Sequence, residues 1–193
     1  VEAADAIVGN VPTEMLAGAS GLRLLQLNSA GYEQYAAPGV LPDGCALCCA
    51  TGAYGQAVSE HLFAMVLSLV KRLPAYQDRQ RAHDWCDLGP VTTLRGARVR
   101  VLGAGDIGPH LAGLFAAMGS SVCGVRSRAA APHHPFDDMG TLSDLPRLLP
   151  QADVVCSVLP STPQTAGIAD QAFFDAMRDG AYFANAGRGD LVD

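Results

Sequence analysis

Charge is scarce in this sequence. Of 193 residues, 17% are Asp, Glu, Lys or Arg, while 49% are apolar; an ordinary soluble chain carries about 25% charge. That balance excludes a disordered chain and implies a large buried core. The charge present leans negative, with 13 Lys and Arg against 19 Asp and Glu, a net −6. Without a basic surplus, nucleic acid and anionic membrane surfaces are not expected partners. Long apolar runs are missing too. The longest, Leu62 to Val70, is closed by Lys71 and Arg72 and falls short of the roughly 20 residues that cross a bilayer. The opening residues, Val1-Glu2-Ala3-Ala4-Asp5, show no basic segment of a signal peptide, so a cytoplasmic location is expected. The first residue is not Met, and Leu191-Val192-Asp193 falls just past a predicted strand. The chain therefore reads as a fragment cut at both ends, one large domain or one domain plus part of another.

Metal-ligand spacing is absent, with one near miss. The six cysteines are Cys45, Cys48, Cys49, Cys86, Cys123 and Cys156. Only Cys45-x-x-Cys48-Cys49 has ligand-like spacing, and no second Cys or His pair stands at zinc-finger spacing from it. Cys45 to Ala50 reads as a buried strand. No metal is expected, and the cysteines are read as small buried groups in a reducing cytosol.

What is present is alternation of strand and helix. Ala6–Val8, Leu22–Leu27 and Cys45–Ala50 read as strands, with helical material at Met15–Ala17 and Tyr32–Ala36. From Val58 the apolar positions Leu62, Met65, Val66, Leu69 and Val70 predict a long helix, capped by Ser59 and ended by Pro74. Residues 75–92, polar apart from Trp85, read as an arm or connector. A strand over Val99 to Leu102 then leads to Gly103-Ala104-Gly105-Asp106-Ile107-Gly108. A helix follows, presenting Ile107, Leu111, Leu114, Phe115 and Met118, stopped by Gly119, and a second strand covers Ser121 to Val125. Further elements are predicted at 144–149, 154–158, 171–177 and 181–184, with 129–135 a surface loop. The fold class is α/β, a Rossmann-type doubly wound parallel sheet, incomplete, with the remnant of a second domain.

The glycine run follows a strand and opens an amphipathic helix, the context that a dinucleotide site requires. Gly103 permits the tight turn, Gly105 lets backbone approach a pyrophosphate, and Gly108 lets helix and strand pack closely. The helix N-terminus adds N–H groups and a positive dipole end. An acid at the end of the second strand would bond a ribose 2′-hydroxyl. Here that strand runs into Arg126-Ser127-Arg128, and guanidinium groups pair with phosphate. NADP(H) is therefore the preferred cofactor, with NAD(H) as the alternative.

Asn185-Ala186-Gly187-Arg188-Gly189 sets one arginine between two glycines after the last predicted strand, at a strand's carboxyl end, where open α/β sheets bind ligands. Leu159-Pro160 to Thr165 lies beyond another strand end. With Ser29-Ala30-Gly31, Val58-Ser59-Glu60-His61 and Gly103 to Gly108, these segments resemble, in order and over the whole chain, the D-isomer-specific 2-hydroxyacid dehydrogenases. The Arg126–Arg128 stretch resembles their NADPH-using glyoxylate/hydroxypyruvate reductases. The resemblance implies residues 1–57 as the end of a flavodoxin-like substrate domain and 58–193 as a dinucleotide-binding domain. It implies that Ala30 and Gly31 hold a substrate carboxylate through main-chain N–H groups, and that Arg188 grips the carboxylate and carbonyl of a 2-oxo acid. A fixed cation there would stabilise the charge that develops as hydride arrives. Asp106, Ile107, Leu159, Pro160, Thr165, Ala186 and Gly187 complete the expected cofactor contacts.

The resemblance also implies a catalytic histidine and a glutamate downstream of the arginine, and this sequence contains neither at that place. The fragment alone is not expected to turn over. Pro132-His133-His134 imitates the family's Pro-His motif, but it precedes the arginine and is assigned no catalysis. Glu60 and His61 are helix neighbours pointing about 100° apart, and His83 and His110 are read as surface or helix residues. The expected partners are a small 2-oxo or 2-hydroxy acid and a second copy in a homodimer, with the 75–92 arm and Trp85 near the interface. A catalytically inactive, dinucleotide-sensing module of the corepressor type is the alternative function. A methyltransferase ranks last because it leaves Arg188 without a role. Nothing in the sequence separates glyoxylate, hydroxypyruvate, D-lactate or phosphoglycerate.

Overall fold

The computed structural model describes residues 3–193. The chain divides between Tyr54 and Gly55 into two compact units. The first contains three short parallel strands, β1 (Ala6–Val8), β2 (Leu24–Gln26) and β3 (Ala46–Cys48), in the order β1-β2-β3. Its core is Leu16, Ala19, Leu22, Leu25, Leu27 and Tyr35. Leu25 of the central strand is buried, while the two edge strands have no buried residue. The cysteine run is thus corrected: Cys48 is exposed and Cys45 and Cys49 are half-buried, because β3 is paired along one side only. All six cysteines are free thiols. Thr13–Met15 forms a short 3-10 turn in place of a helix at 15–17, and Tyr32–Ala36 is a hydrogen-bonded turn.

The second unit begins with helix α1 (Gly55–Val70), three residues earlier than its apolar spacing suggests. Ser59 is not its cap: the residue is buried inside the helix, and its hydroxyl donates to the Gln56 carbonyl at 2.7 Å. Leu62, Val66 and Val70 face the core, whereas Met65 and Leu69 are exposed. Pro74 does not mark an end either. Arg72 adopts a left-handed backbone (φ 55°) that breaks the chain from α1, and α2 (Leu73–Arg81) starts with Pro74 in its first turn, where a missing N–H costs nothing. Part of the expected connector is therefore helical.

Five parallel strands follow: β4 (Arg98–Leu102), β5 (Ser121–Arg126), β6 (Asp138–Thr141), β7 (Val154–Ser157) and β8 (Tyr182–Asn185). Their order across the sheet is β6-β5-β4-β7-β8. Strand β6 carries Gly140 and no apolar alternation, which is why the sequence pattern passes over it. Helix α3 (Ile107–Ala117) joins β4 to β5, and Gly119 (φ 81°) ends it in the left-handed conformation. The short helices α4 (Leu145–Leu148) and α5 (Gln171–Ala176) precede β7 and β8.

Alternation along the strands divides the core in two. Val99, Val101, Val122, Val154 and Cys156 pack with α1 and α3. Leu102, Cys123, Val125 and Val155 pack with α4 and α5 on the other side. The sheet is thus covered on both faces, the arrangement of a doubly wound α/β fold. Burial pushes the Cys156 thiol up to about 12, so this cysteine is a packing group. Arg100, which the apolar pattern does not mark, is buried beside Cys123, and its guanidinium donates to the carbonyls of Leu148 and Val99. No helix among the described residues is long and apolar enough to cross a membrane.

Candidate active site

All five strands of the larger sheet run the same way, so the segments that leave β4, β5, β7 and β8 emerge on one edge. Chain order reverses between β4 and β7: from β4 the sheet grows outward through β5 and β6, then resumes on the opposite side. At such a switch point the two departing loops diverge and leave a crevice.

The glycine run lies on the β4 side of that crevice. Gly103 has φ 107°, and its N–H donates to Val125 at 2.8 Å, extending the β4–β5 ladder by one bond. A Cβ on Gly103 would stand 3.0 Å from the Val158 carbonyl, and one on Gly108 would stand 2.2 Å from the Gly103 carbonyl oxygen. These two glycines are therefore required by the protein's own packing. Gly105 differs, because a Cβ there would meet nothing within 4 Å. The fold leaves open space at the one glycine expected to face a pyrophosphate. Asp106 and Ile107 open α3, whose first-turn N–H groups lie at the same edge. Gly55, which sequence reasoning missed, is buried where a Cβ would stand 2.7 Å from Asp106 Oδ1; its bareness lets α1 begin against the start of α3.

Arg126, Ser127 and Arg128 leave β5 on this edge, all three exposed. Beyond β7, Val158 N–H donates to Leu102 at 2.8 Å, Leu159 is buried and Pro160 exposed. Thr165 is also buried. Its hydroxyl donates to the Pro160 carbonyl at 2.6 Å and accepts from Thr162 N–H at 2.9 Å, so it shapes the loop from within.

The segment after β8 closes onto the same loop. Ala186 N–H donates to Ser157 at 2.9 Å. A Cβ on Gly187 would stand 2.4 Å from the Leu159 carbonyl oxygen, so this position too must be bare. Arg188 follows, half-buried, with extended backbone (φ −124°, ψ 147°). Gly103 and Gly187 thus press on adjacent residues, Val158 and Leu159. Arg188 and the glycine turn accordingly stand on one edge of the sheet, separated by the β7 loop.

Ala30 and Gly31 belong to the first unit. Their turn is held by Asn10, whose Oδ1 accepts from Asn28 N–H at 2.8 Å and whose Nδ2 donates to Ser29 Oγ at 2.9 Å; the Ser29 hydroxyl donates to the Gly31 carbonyl at 2.8 Å. In the sequence Gly9-Asn10 marks only the end of the first strand, and nothing there points to the bonds Asn10 makes across to residues 28 and 29. Glu60, His61, His83, His110, His133 and His134 are all exposed. No group of three His, Cys, Asp or Glu able to hold a metal occurs among the described residues.

Residues 63–193 match the family model for the D-isomer specific 2-hydroxyacid dehydrogenase, NAD binding domain. The chain belongs to this family. Among individual relatives, it is 31% identical over 195 residues to glyoxylate/hydroxypyruvate reductase A of Photorhabdus laumondii, covering 95% of this chain and 60% of that protein. It is 29% identical to D-3-phosphoglycerate dehydrogenase of Mycobacterium tuberculosis, covering 95% of this chain and 35% of that protein. Among solved structures, a D-isomer specific 2-hydroxyacid dehydrogenase family protein of Aeromonas salmonicida superposes with a TM-score of 0.87 at 31% identity, over all of this chain and 62% of that one. An NADPH-dependent glyoxylate/hydroxypyruvate reductase of Sinorhizobium meliloti, solved with NADP and sulfate, gives 0.82 at 26% identity, over 99% of this chain and 61% of that one. The chain thus spans between about one third and three fifths of these relatives' lengths. Its larger unit is a Rossmann-type NAD-binding domain.

Proposed function

We propose that this chain is the cofactor-binding part, with a portion of the substrate part, of an NADPH-preferring reductase that converts a short 2-oxo acid of the glyoxylate or hydroxypyruvate type into the D-2-hydroxy acid. The observation that carries the reading is the shared edge: the open cradle at Gly105 and the arginine at 188 flank one loop at the switch point of the sheet.

The residues present fit a nicotinamide dinucleotide. The N–H groups of Asp106 and Ile107 would receive the pyrophosphate above Gly105, and Arg126, Ser127 and Arg128 would receive a 2′-phosphate. Leu159, Pro160, Ala186 and Gly187 would wall the crevice, with Thr165 keeping the Pro160 turn in shape. A bound nicotinamide supplies the hydride. Arg188 holds the substrate carboxylate and places a permanent positive charge beside the carbonyl oxygen, where negative charge grows during reduction. Ala30 and Gly31, in the first unit, are the residues to which the family resemblance gives main-chain carboxylate binding. A cytoplasmic location belongs to the same reading, because six free thiols suit a reducing compartment. So does a homodimer. Trp85 is fully exposed, and with Tyr76, Arg79 and His83 it lines a groove of about 850 Å³ that a second copy could fill.

The test is oxidation of NADPH and of NADH by the full-length protein over a panel of 2-oxo acids. Activity with glyoxylate or hydroxypyruvate and a lower KM for NADPH are expected. Arg188→Ala is expected to lower kcat/KM by a factor of about 100 to 1,000. Unchanged activity in that variant removes Arg188 from the mechanism, and equal or better use of NADH removes the cofactor preference.

A further inference from the structure

One side chain ties the loop that carries Arg188. Asn185, the last residue of β8, accepts from Gly187 N–H through Oδ1 at 2.9 Å and donates through Nδ2 to the Arg188 carbonyl at 2.8 Å. Chemistry fixes this orientation of the amide, since an N–H needs an acceptor and a carbonyl needs a donor. Asparagine satisfies both backbone groups at once. Aspartate keeps the acceptor, lacks the donor, and brings a negative charge close to the guanidinium.

The two bonds span a segment of four residues, 185–188, and hold its backbone at both Gly187 and Arg188. They therefore fix the direction in which the arginine side chain leaves the main chain. Other contacts brace the loop from outside. Leu191 N–H reaches the second lone pair of the Arg188 carbonyl at 3.3 Å, Asp190 accepts from the Ser161 hydroxyl at 2.5 Å, and Gly167 N–H donates to the Asp190 carbonyl at 2.8 Å. The Leu191 bond shares the Arg188 carbonyl with Asn185, the two bonds to Asp190 anchor the residue two places on, and Asn185 ties Gly187 and Arg188 back to the end of β8. A half-buried cation on a long, flexible stem is useful to a reacting carbonyl only if its base does not wander, because small misplacements cost large factors in rate.

We propose that Asn185 is the positioning residue of Arg188, acting on the 2-oxo acid through the arginine and without touching substrate or cofactor. The proposal rests on the role given to Arg188 above.

In the full-length protein, Asn185→Ala, Asn185→Asp, Arg188→Ala and the double variant Asn185→Ala/Arg188→Ala are compared with wild type, using whichever of glyoxylate and hydroxypyruvate is turned over better. Both Asn185 substitutions lose the Nδ2 donor, and each is expected to raise KM for the acid about tenfold. NADPH affinity, read by fluorescence titration, should stay unchanged. Asn185→Ala should add nothing once residue 188 is already alanine. A merely structural role would instead lower NADPH affinity and thermal stability together and leave KM for the acid unmoved. The proposal is overturned if KM for the acid is unchanged in Asn185→Asp, or if the two losses multiply in the double variant. Should Asn185→Ala not fold, Asn185→Asp, which keeps the Gly187 bond, decides alone. Full activity in Arg188→Ala is a different failure, that of the arginine's own role.

Discussion

At the scale of single residues, one motif contains glycines of two kinds. Gly103 and Gly108 are bare because the β4–α3 turn would collide with itself or with Val158, while Gly105 is bare where the protein offers nothing to collide with. The difference is measurable. Gly108→Ala forces a Cβ into a carbonyl oxygen and is expected to cost about 3 kcal/mol or more in a denaturant titration. Gly105→Ala should leave stability within about 0.5 kcal/mol and weaken dinucleotide binding instead; a Gly105→Ala protein that binds NADPH as well as wild type would deny the cradle its purpose. The sequence made these positions visible through their spacing alone. The motif also suggested what each is for, but not which atoms it clears, and it gave no sign of the bonds Asn10 makes or of the need for Gly55, because a staple across 18 residues or a helix start pressed on another helix leaves no local pattern.

Among the elements, the strands rich in valine were legible. β4, β5 and β7 each carry four consecutive buried residues because both faces of a parallel sheet are covered, and valine dominates those runs although Arg100 interrupts the one in β4. β6, reading Asp-Met-Gly-Thr, was not, since it lies at an edge and is held by backbone pairing with β5. The beginnings of the strands carry their own fastening. Asp153 accepts from Arg98 N–H at 2.7 Å and pairs with the guanidinium groups of Arg98 and Arg178, so one carboxylate joins the starts of β4 and β7 to the segment between α5 and β8. Burial alone would raise its pKa, yet the Arg98 bonds and the two cations outweigh that and hold it below the ordinary 3.8. A depressed carboxylate contributes stability above its unfolded pKa and loses it as pH falls through the folded value. Asp153→Asn is therefore expected to lower stability at pH 7 by about 1 kcal/mol, allowing for solvent screening, and to narrow the gap to wild type below about pH 4. Parallel pH–stability curves for the two proteins would contradict this assignment.

For the whole molecule, composition foretold a large core and the alternation of strand and helix foretold a sheet covered by helices, and the larger unit has both. It did not foretell how apolar residues divide between core and surface. Met65, Leu69, Leu73 and Trp85 are exposed on or beyond α1 and α2, although their helical spacing or bulk would suit burial. The proposed homodimer would give them a use, and light scattering of the full-length protein should report twice the chain mass. Trp85→Ala with Leu73→Ser should shift it toward the monomer; a monomeric wild type would remove the proposal. The contact of Gly103 with Val158 and of Gly187 with Leu159 has a consequence of its own. One dipeptide serves as the common backstop for the Gly103–Gly108 turn and for the segment that carries Arg188, so a change that pushes this backbone outward disturbs both at once. Neither the glycine turn nor the Arg188 segment can drift independently of the other, and on the proposed function any retuning of substrate choice has to come from side chains that leave residues 158 and 159 where they are.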